Sequence, residues 1–334
     1  MIAADLHKDA IVIDATCPLA RLTGFIDWWR EGGATAIAPT VTGMAGNAST
    51  GFGQIGAWRR YVRERDDTIL VLTAADIEQA HQDGKLGLIL HCQGTALLED
   101  NIDLVEAYHA AGLRIVQLCY NRKNLVGDGA GERTDSGLSL FGLKLVERLN
   151  TLNMIVDCAH TGERTSMDAV EHSAAPVIIS HANARAVHDS ARNITDDLIK
   201  AVAANDGVIG SVGFPPLLVW DGQPSMDRYI DEIAYKADLV GIDHVGIGID
   251  YYQGQHPVED DATALARYNK LVDEGHWRPE EYPPPPYKYP AGIETPATLP
   301  RLTERLIERG FAETDIRKIL GLNWMRVYRA VWGA

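Results

Sequence analysis

The sequence predicts an α/β protein built as a closed (β/α)8 TIM barrel. Three observations predict it. Eight short apolar runs recur along 334 residues. Amphipathic helical patterns, such as Leu138–Leu152 and Asp196–Ala204, lie between them. Several runs end on a residue able to do chemistry: His160, His181 and Asp250. Continuous apolar runs of this length read as strands buried on both faces, as in parallel sheets. Eight alternating β and α units favour a closed barrel over an open sheet.

The expected strands are Ile11–Thr16, Ala34–Thr40, Leu86–Gln93, Leu113–Tyr120, Met154–His160, Pro176–His181, Gly207–Phe214 and His244–Asp250. The run Thr68–Leu72 is a ninth candidate, read as a minor strand or the approach to a helix. In a barrel, a polar residue at the last position of a strand lies on the rim where chemistry is done. Residues 251–294 break the alternation. They are polar, rich in proline and aromatics, and include Tyr282-Pro-Pro-Pro-Pro-Tyr-Lys-Tyr-Pro290. Proline density disfavours a regular helix or central strand there. The segment follows the last barrel strand, so it reads either as a wall or lid over the site or as a surface loop or subunit contact. Residues 295–334 read as closing helices that pack rather than catalyse. The whole chain, 1–334, reads as a single domain.

Composition narrows the function. The chain is 46% hydrophobic and 23% charged, an ordinary globular balance. A formal charge of −15 and a pI near 5.1 argue against nucleic acid or an anionic membrane as partner. The N-terminal residues carry acids and no long apolar stretch, so no signal peptide is expected. Nor does any stretch approach the ~20 apolar residues that span a bilayer. Cys17, Cys92, Cys119 and Cys158 fit neither CxxC spacing nor a disulfide framework. Reduced thiols and a cytoplasmic location are the expectation. Gly127-Asp-Gly-Ala-Gly131 lacks the lysine of a phosphate loop and the strand–glycine–helix context of a dinucleotide site.

Two imidazoles and a carboxylate converging on a rim have the composition of a metal site. The segments Asn150–His160, Pro176–Val187, Arg192-Asn193, His244–Asp250 and Gly321-Leu-Asn-Trp-Met-Arg-Val327 follow one another in an order that resembles the membrane (renal) dipeptidase family, the M19 peptidases of the amidohydrolase superfamily. The resemblance implies a metal-dependent hydrolase on a (β/α)8 barrel, a binuclear zinc site, hydrolysis of dipeptides and a homodimer. It implies further that His160 and His181 hold the second metal and that Arg192 binds the substrate carboxylate. Asp250 then handles the proton of the attacking water.

The departures from that pattern fall on the first-metal side. Thr16 and Pro18 stand where the family has a His-x-Asp pair, Gln93 where it has a bridging glutamate, and Tyr120 where it has a further histidine. Proline offers no ligand, threonine is a poor one beside imidazole, and an amide is neutral. One zinc ion per chain, or none, is therefore expected in place of two. His160, His181 and Gln93 are its candidate ligands. Asp250 and Tyr120 are the candidate catalytic residues, Tyr120 by hydrogen-bonding a tetrahedral oxyanion. Arg192, Tyr120 and Asn121 are the candidate substrate contacts.

Each assignment has a plainer alternative. The histidines can be hydrogen-bonded core residues, and Asp250 a helix cap or ion-pair partner. Arg192 can pair with Asp189 or Asp196, and Tyr120 can be a rim aromatic. Cys17 is an alternative metal ligand. His91, His172, His188 and His256 read as surface residues or supports behind the site. Three functions remain open: a divergent dipeptidase, a hydrolase of another small amide on the same fold, and a non-catalytic small-molecule-binding barrel.

Overall fold

The structure, a computed structural model, describes residues 3–42 and 44–333. The outermost residues of the single-domain span, 1–2 and 334, lie outside the described residues. Nine short strands are found among them: β1 (Ile13–Cys17), β2 (Ala36–Pro39), β3 (Thr68–Leu70), β4 (Leu86–Leu88), β5 (Leu90–Gln93), β6 (Leu113–Gln117), β7 (Ile155–Asp157), β8 (Ile209–Ser211) and β9 (Val245–Ile247). Every ladder between them is parallel, in the orders β1-β2-β4-β3, β5-β6-β7 and β8-β9.

Single parallel bridges join these blocks. Thr40 meets His91, Asp157 meets Ile178, and Ile179 meets Ile209. Apart from β3, which lies beyond β4, the pairing thus runs in sequence order from β1 to β9. The last gap, between β9 and β1, is spanned by a side chain: Ile249 N–H donates to Asp14 Oδ1 at 2.9 Å. Trp29 Nε1 holds the other oxygen of that carboxylate at 2.9 Å.

Seven of the eight expected barrel runs contain a strand, each shorter than its apolar run. The exception is Pro176–His181, which pairs only through the two bridges at Ile178 and Ile179. Thr68–Leu72 forms the minor strand β3, on the outer side of β4. Residues 251–294 are irregular where the prolines sit but contain a 13-residue helix, Asp261–Asp273. The proline argument fails there because no proline falls between Pro257 and Pro279. Asp260 caps that helix by accepting from Thr263 N–H at 2.9 Å.

Two apolar clusters hold the barrel. One lies between strands and surrounding helices. The other joins residues near the strand starts, Ile13, Ala36, Ile115, Ile155 and Val208, to Trp324, Met325 and Tyr328 of the last helix, Asn323–Trp332. The closing helix thus packs against the end of the barrel opposite the strand C-termini, as expected of a packing element.

Candidate active site

The strand C-termini deliver their polar residues to one cavity of about 220 Å³. Gln93, Tyr120, His160, Arg192 and Asp250 line it. Three residues following the barrel strands take left-handed backbone conformations without being glycine: Asn121 (φ 49°), His160 (φ 59°) and Asp250 (φ 63°). Such residues are uncommon, and they concentrate where side-chain aim matters more than backbone comfort.

His181 is fully buried, and its hydrogen bonds settle its tautomer. Ser180 Oγ lies 2.6 Å from Asp157 Oδ2 and 2.8 Å from His181 Nδ1. The carboxylate can only accept, so the Ser180 proton goes to Asp157. Thr16 Oγ1, 3.2 Å from the same Nδ1, donates its own proton to Ala15 O. Both hydroxyls are then left to accept, and Nδ1 carries the hydrogen. Nε2 keeps its lone pair, buried and without a partner. Asp157 also accepts from His91 Nε2 at 3.0 Å. Burial pushes the Asp157 carboxyl up, but its bonds and charges from His91, His181 and Ser180 bring it below its ordinary value.

His160 follows the same logic. Its Nδ1 lies 2.7 Å from Asn121 Oδ1. The Asn121 amide nitrogen faces the carbonyl of His276 and the hydroxyl of Tyr282, which fixes the amide orientation. His160 therefore donates from Nδ1 and also presents an Nε2 lone pair. The two rings meet edge to face with centroids 4.8 Å apart. Burial, then the nearby Arg192 guanidinium, holds both histidines well below the usual imidazole range. Both are neutral at physiological pH.

Arg192 is 2% exposed and has no carboxylate partner among the described residues. Its Nε is unpaired, and one terminal nitrogen reaches only the carbonyl of His181, at 3.4 Å. It pairs with neither Asp189 nor Asp196. A buried guanidinium left in this state carries an uncompensated charge that an anionic ligand would relieve. Among the described residues, Asp250 makes no ion pair and caps no helix. Burial raises its carboxyl to about 8, with Arg192 opposing and Asp14 adding to the rise. Tyr120 stacks on His160 at 4.0 Å, and its hydroxyl accepts from Trp277 Nε1 at 3.1 Å. Burial pushes that hydroxyl well above its ordinary range, so it remains a proton donor.

Thr16 and Pro18 both reach the site, Thr16 behind His181 and Pro18 in the cavity wall. Gln93 and His160 line one cavity, and His181 packs edge to face against His160 behind it. No cluster of three His, Cys, Asp or Glu side chains suited to a metal occurs among the described residues. The orphaned Nε2 of His181 beside the free Nε2 of His160 fits one ion. Nothing at Thr16 and Pro18 fits a second. Cys17 is buried with its thiol turned to the Asp14 carbonyl, away from the cavity. His91 and His188 are buried, which removes the surface reading for both.

The sequence reading allowed residues 251–294 as a wall over the site but named none of its aromatics, nor Phe214. Phe214, Tyr252, Trp277 and Tyr282 line the cavity, Trp277 stacked on Tyr282 at 4.6 Å. Three of the four come from residues 251–294, so that segment does form part of the cavity. The only available signal was its aromatic content.

The chain matches the family model described as membrane dipeptidase (peptidase family M19) over residues 34–278 and 287–333. The match begins after β1, the strand that carries Thr16. Among solved structures, an amidohydrolase from Pseudomonas aeruginosa is 34% identical, with full coverage of both chains and a TM-score of 0.89. A metallo peptidase from Rhodobacter sphaeroides, liganded with a phosphinate mimic of the dipeptide L-Ala-D-Ala, shares the fold at 21% identity and a TM-score of 0.79, covering 97% of this chain and all of that one. Among curated proteins, "Dipeptidase tcpJ" of Claviceps purpurea is 26% identical over 84% of this chain, which spans 59% of that protein's length. With barrel, rim and family model in agreement, the chain belongs to the membrane dipeptidase family, peptidase family M19.

Proposed function

We propose that this protein hydrolyses the amide bond of a small carboxylate-bearing substrate, a dipeptide or a related amide. One observation carries the reading: a neutral His160, backed edge to face by a buried neutral His181 whose Nε2 is unpartnered, shares a cavity with a buried arginine that has no carboxylate partner among the described residues and a carboxyl raised to about 8. Arg192 binds the substrate carboxylate and sets the register of the amide. Asp250 takes the proton of the attacking water and passes it to the leaving nitrogen. Tyr120 donates to the oxygen on which charge develops, with Asn121 holding His160 and the substrate side of the cavity.

His160 and His181 would hold one zinc ion, with the Gln93 amide oxygen beside them. Such an ion supplies a Lewis acid and lowers the pKa of water in its coordination sphere. The hydrogen bonds from both Nδ1 atoms match the usual support behind metal-binding histidines. A cytoplasmic homodimer is the setting that the thiols and the family suggest. Among the described residues, no helix is long and apolar enough to cross a membrane.

Metal analysis after dialysis against metal-free buffer, followed by a dipeptide panel, tests this. About one zinc per chain and cleavage of Ala-D-Ala are the expected results. Thr16, Pro18 and Gln93 favour a second reading, a hydrolase of non-peptide amides. Zinc present with all dipeptides inert would support that. No zinc uptake and no hydrolysis would leave only a binding protein.

A further inference from the structure

The cavity has an electrostatic character opposite to that of the chain. The protein carries a formal charge of −15. Yet among the described residues the cavity is lined by four cations, Arg21, Arg192, Arg267 and Lys270, and two acids, Asp250 and Glu274. Arg192 lies at the buried end. The other cations lie at the open end, Arg21 just past β1 and Arg267 and Lys270 on the helix Asp261–Asp273. Glu259 grips the Arg267 guanidinium through two contacts, one of them 3.1 Å from Nε, which holds it in place. Arg21 has neither an ion pair nor a hydrogen bond from its side chain among the described residues. Partial burial, and then the like charge of Arg267, lowers the Arg21 guanidinium. Glu259 already neutralises Arg267, so Arg21 brings a second, unpaired positive charge to the same cavity, and an anion held there would meet both guanidiniums.

We propose that Arg21 and Arg267 form a second anion subsite and that the natural substrate carries two carboxylates. One sits on Arg192 and the other, beyond the scissile amide, lies between Arg21 and Arg267. This deepens the hydrolase reading and rests on its assignment of Arg192. The substrate class is an amide joining an amino acid to a second acid-bearing unit. The aromatic wall of Tyr252 and Trp277 packs against the carbon chain between the two charges. Arg21 lies before residue 34, where the family match begins, so this half of the subsite comes from a part of the chain outside that match.

Equilibrium binding tests it, using the intact chain and calorimetry at low salt. The probes are the straight-chain dicarboxylates from succinate to suberate, each paired with the monocarboxylate of equal length. At least one dicarboxylate is expected to bind roughly tenfold tighter than its partner, an increment typical of one added charge-assisted contact. Arg21→Gln should bring that ratio close to one, and raised salt should narrow it in the native protein. A ratio near one across the whole series, or a preference unchanged by R21Q, overturns the proposal. Folding of R21Q is checked by its thermal unfolding. Because the readout is binding, failure to hydrolyse any amide bears on the hydrolase reading alone.

Discussion

Asp250 is the residue whose environment says most about its role. Its carboxyl stands near 8 because burial penalises the charge more than Arg192 repays it. The unfolded chain ionises the same group near 4. A raised carboxyl contributes stability at low pH that is lost as pH climbs from the unfolded to the folded value. Asp250→Asn removes that loss. In chelator-treated protein at pH 8 and above, the variant should melt about 2–4 °C higher than the parent. At pH 4 the difference should vanish, as thermal unfolding at several pH values would show. Activity should move the other way. The parent rate should rise with pH as the base form appears, at a pH below 8 once a zinc ion sits nearby, while D250N should lose roughly 10²–10⁴-fold. A variant that keeps its activity removes Asp250 from proton transfer.

At the scale of elements, the site depends on how tightly three strand ends are packed. Gly210 and Gly248 flank the backbone of Ser180, and a methyl group on either would sit about 2 Å from the Ser180 carbonyl. Close approach of three chains is what sets Ser180 against Asp157 and His181 against His160, whose ring lines the cavity. Gly248→Ala should therefore cost about 1–3 kcal/mol in chemical denaturation and weaken zinc retention. Unchanged stability would mean that the strands separate cheaply. This packing also shows what the sequence made legible. His160, His181 and Asp250 stood out because apolar runs place strand ends on one rim, Arg192 only through the family resemblance, and the structure brings all four close together. The Ser180–Asp157–His91 support was hidden, since it depends on register between strands far apart in sequence. Arg267 and Trp277 were hidden for another reason: no periodic pattern tells which side of an irregular segment faces the barrel. Strand lengths were overestimated because apolar runs continue past the last ladder bond, into the left-handed turns at His160 and Asp250.

At the scale of the whole molecule, one end of the barrel is sealed so that the other can stay open. Trp324 donates from its indole to the Ile247 carbonyl at 3.1 Å and packs against Gly246 under β9. Trp324→Ala should cost about 3–5 kcal/mol, measured by denaturant unfolding, because it leaves a cavity that the strand starts cannot fill. A cost below 1 kcal/mol would show that the last helix is dispensable. The join between β9 and β1 has a different consequence. Elsewhere neighbouring strands are laced by backbone bonds, but between β9 and β1 themselves the Asp14 carboxylate does the fastening, helped just past the strand ends by a backbone bond from Leu19 N–H to the Tyr251 carbonyl at 2.9 Å. Mechanically, the barrel is a hoop with a buckle, and a strained hoop parts at the buckle. Asp250 adjoins one side of it and Thr16, the prop behind His181, the other. The protein would thus lose its function by springing at this seam while most of its girth remained intact.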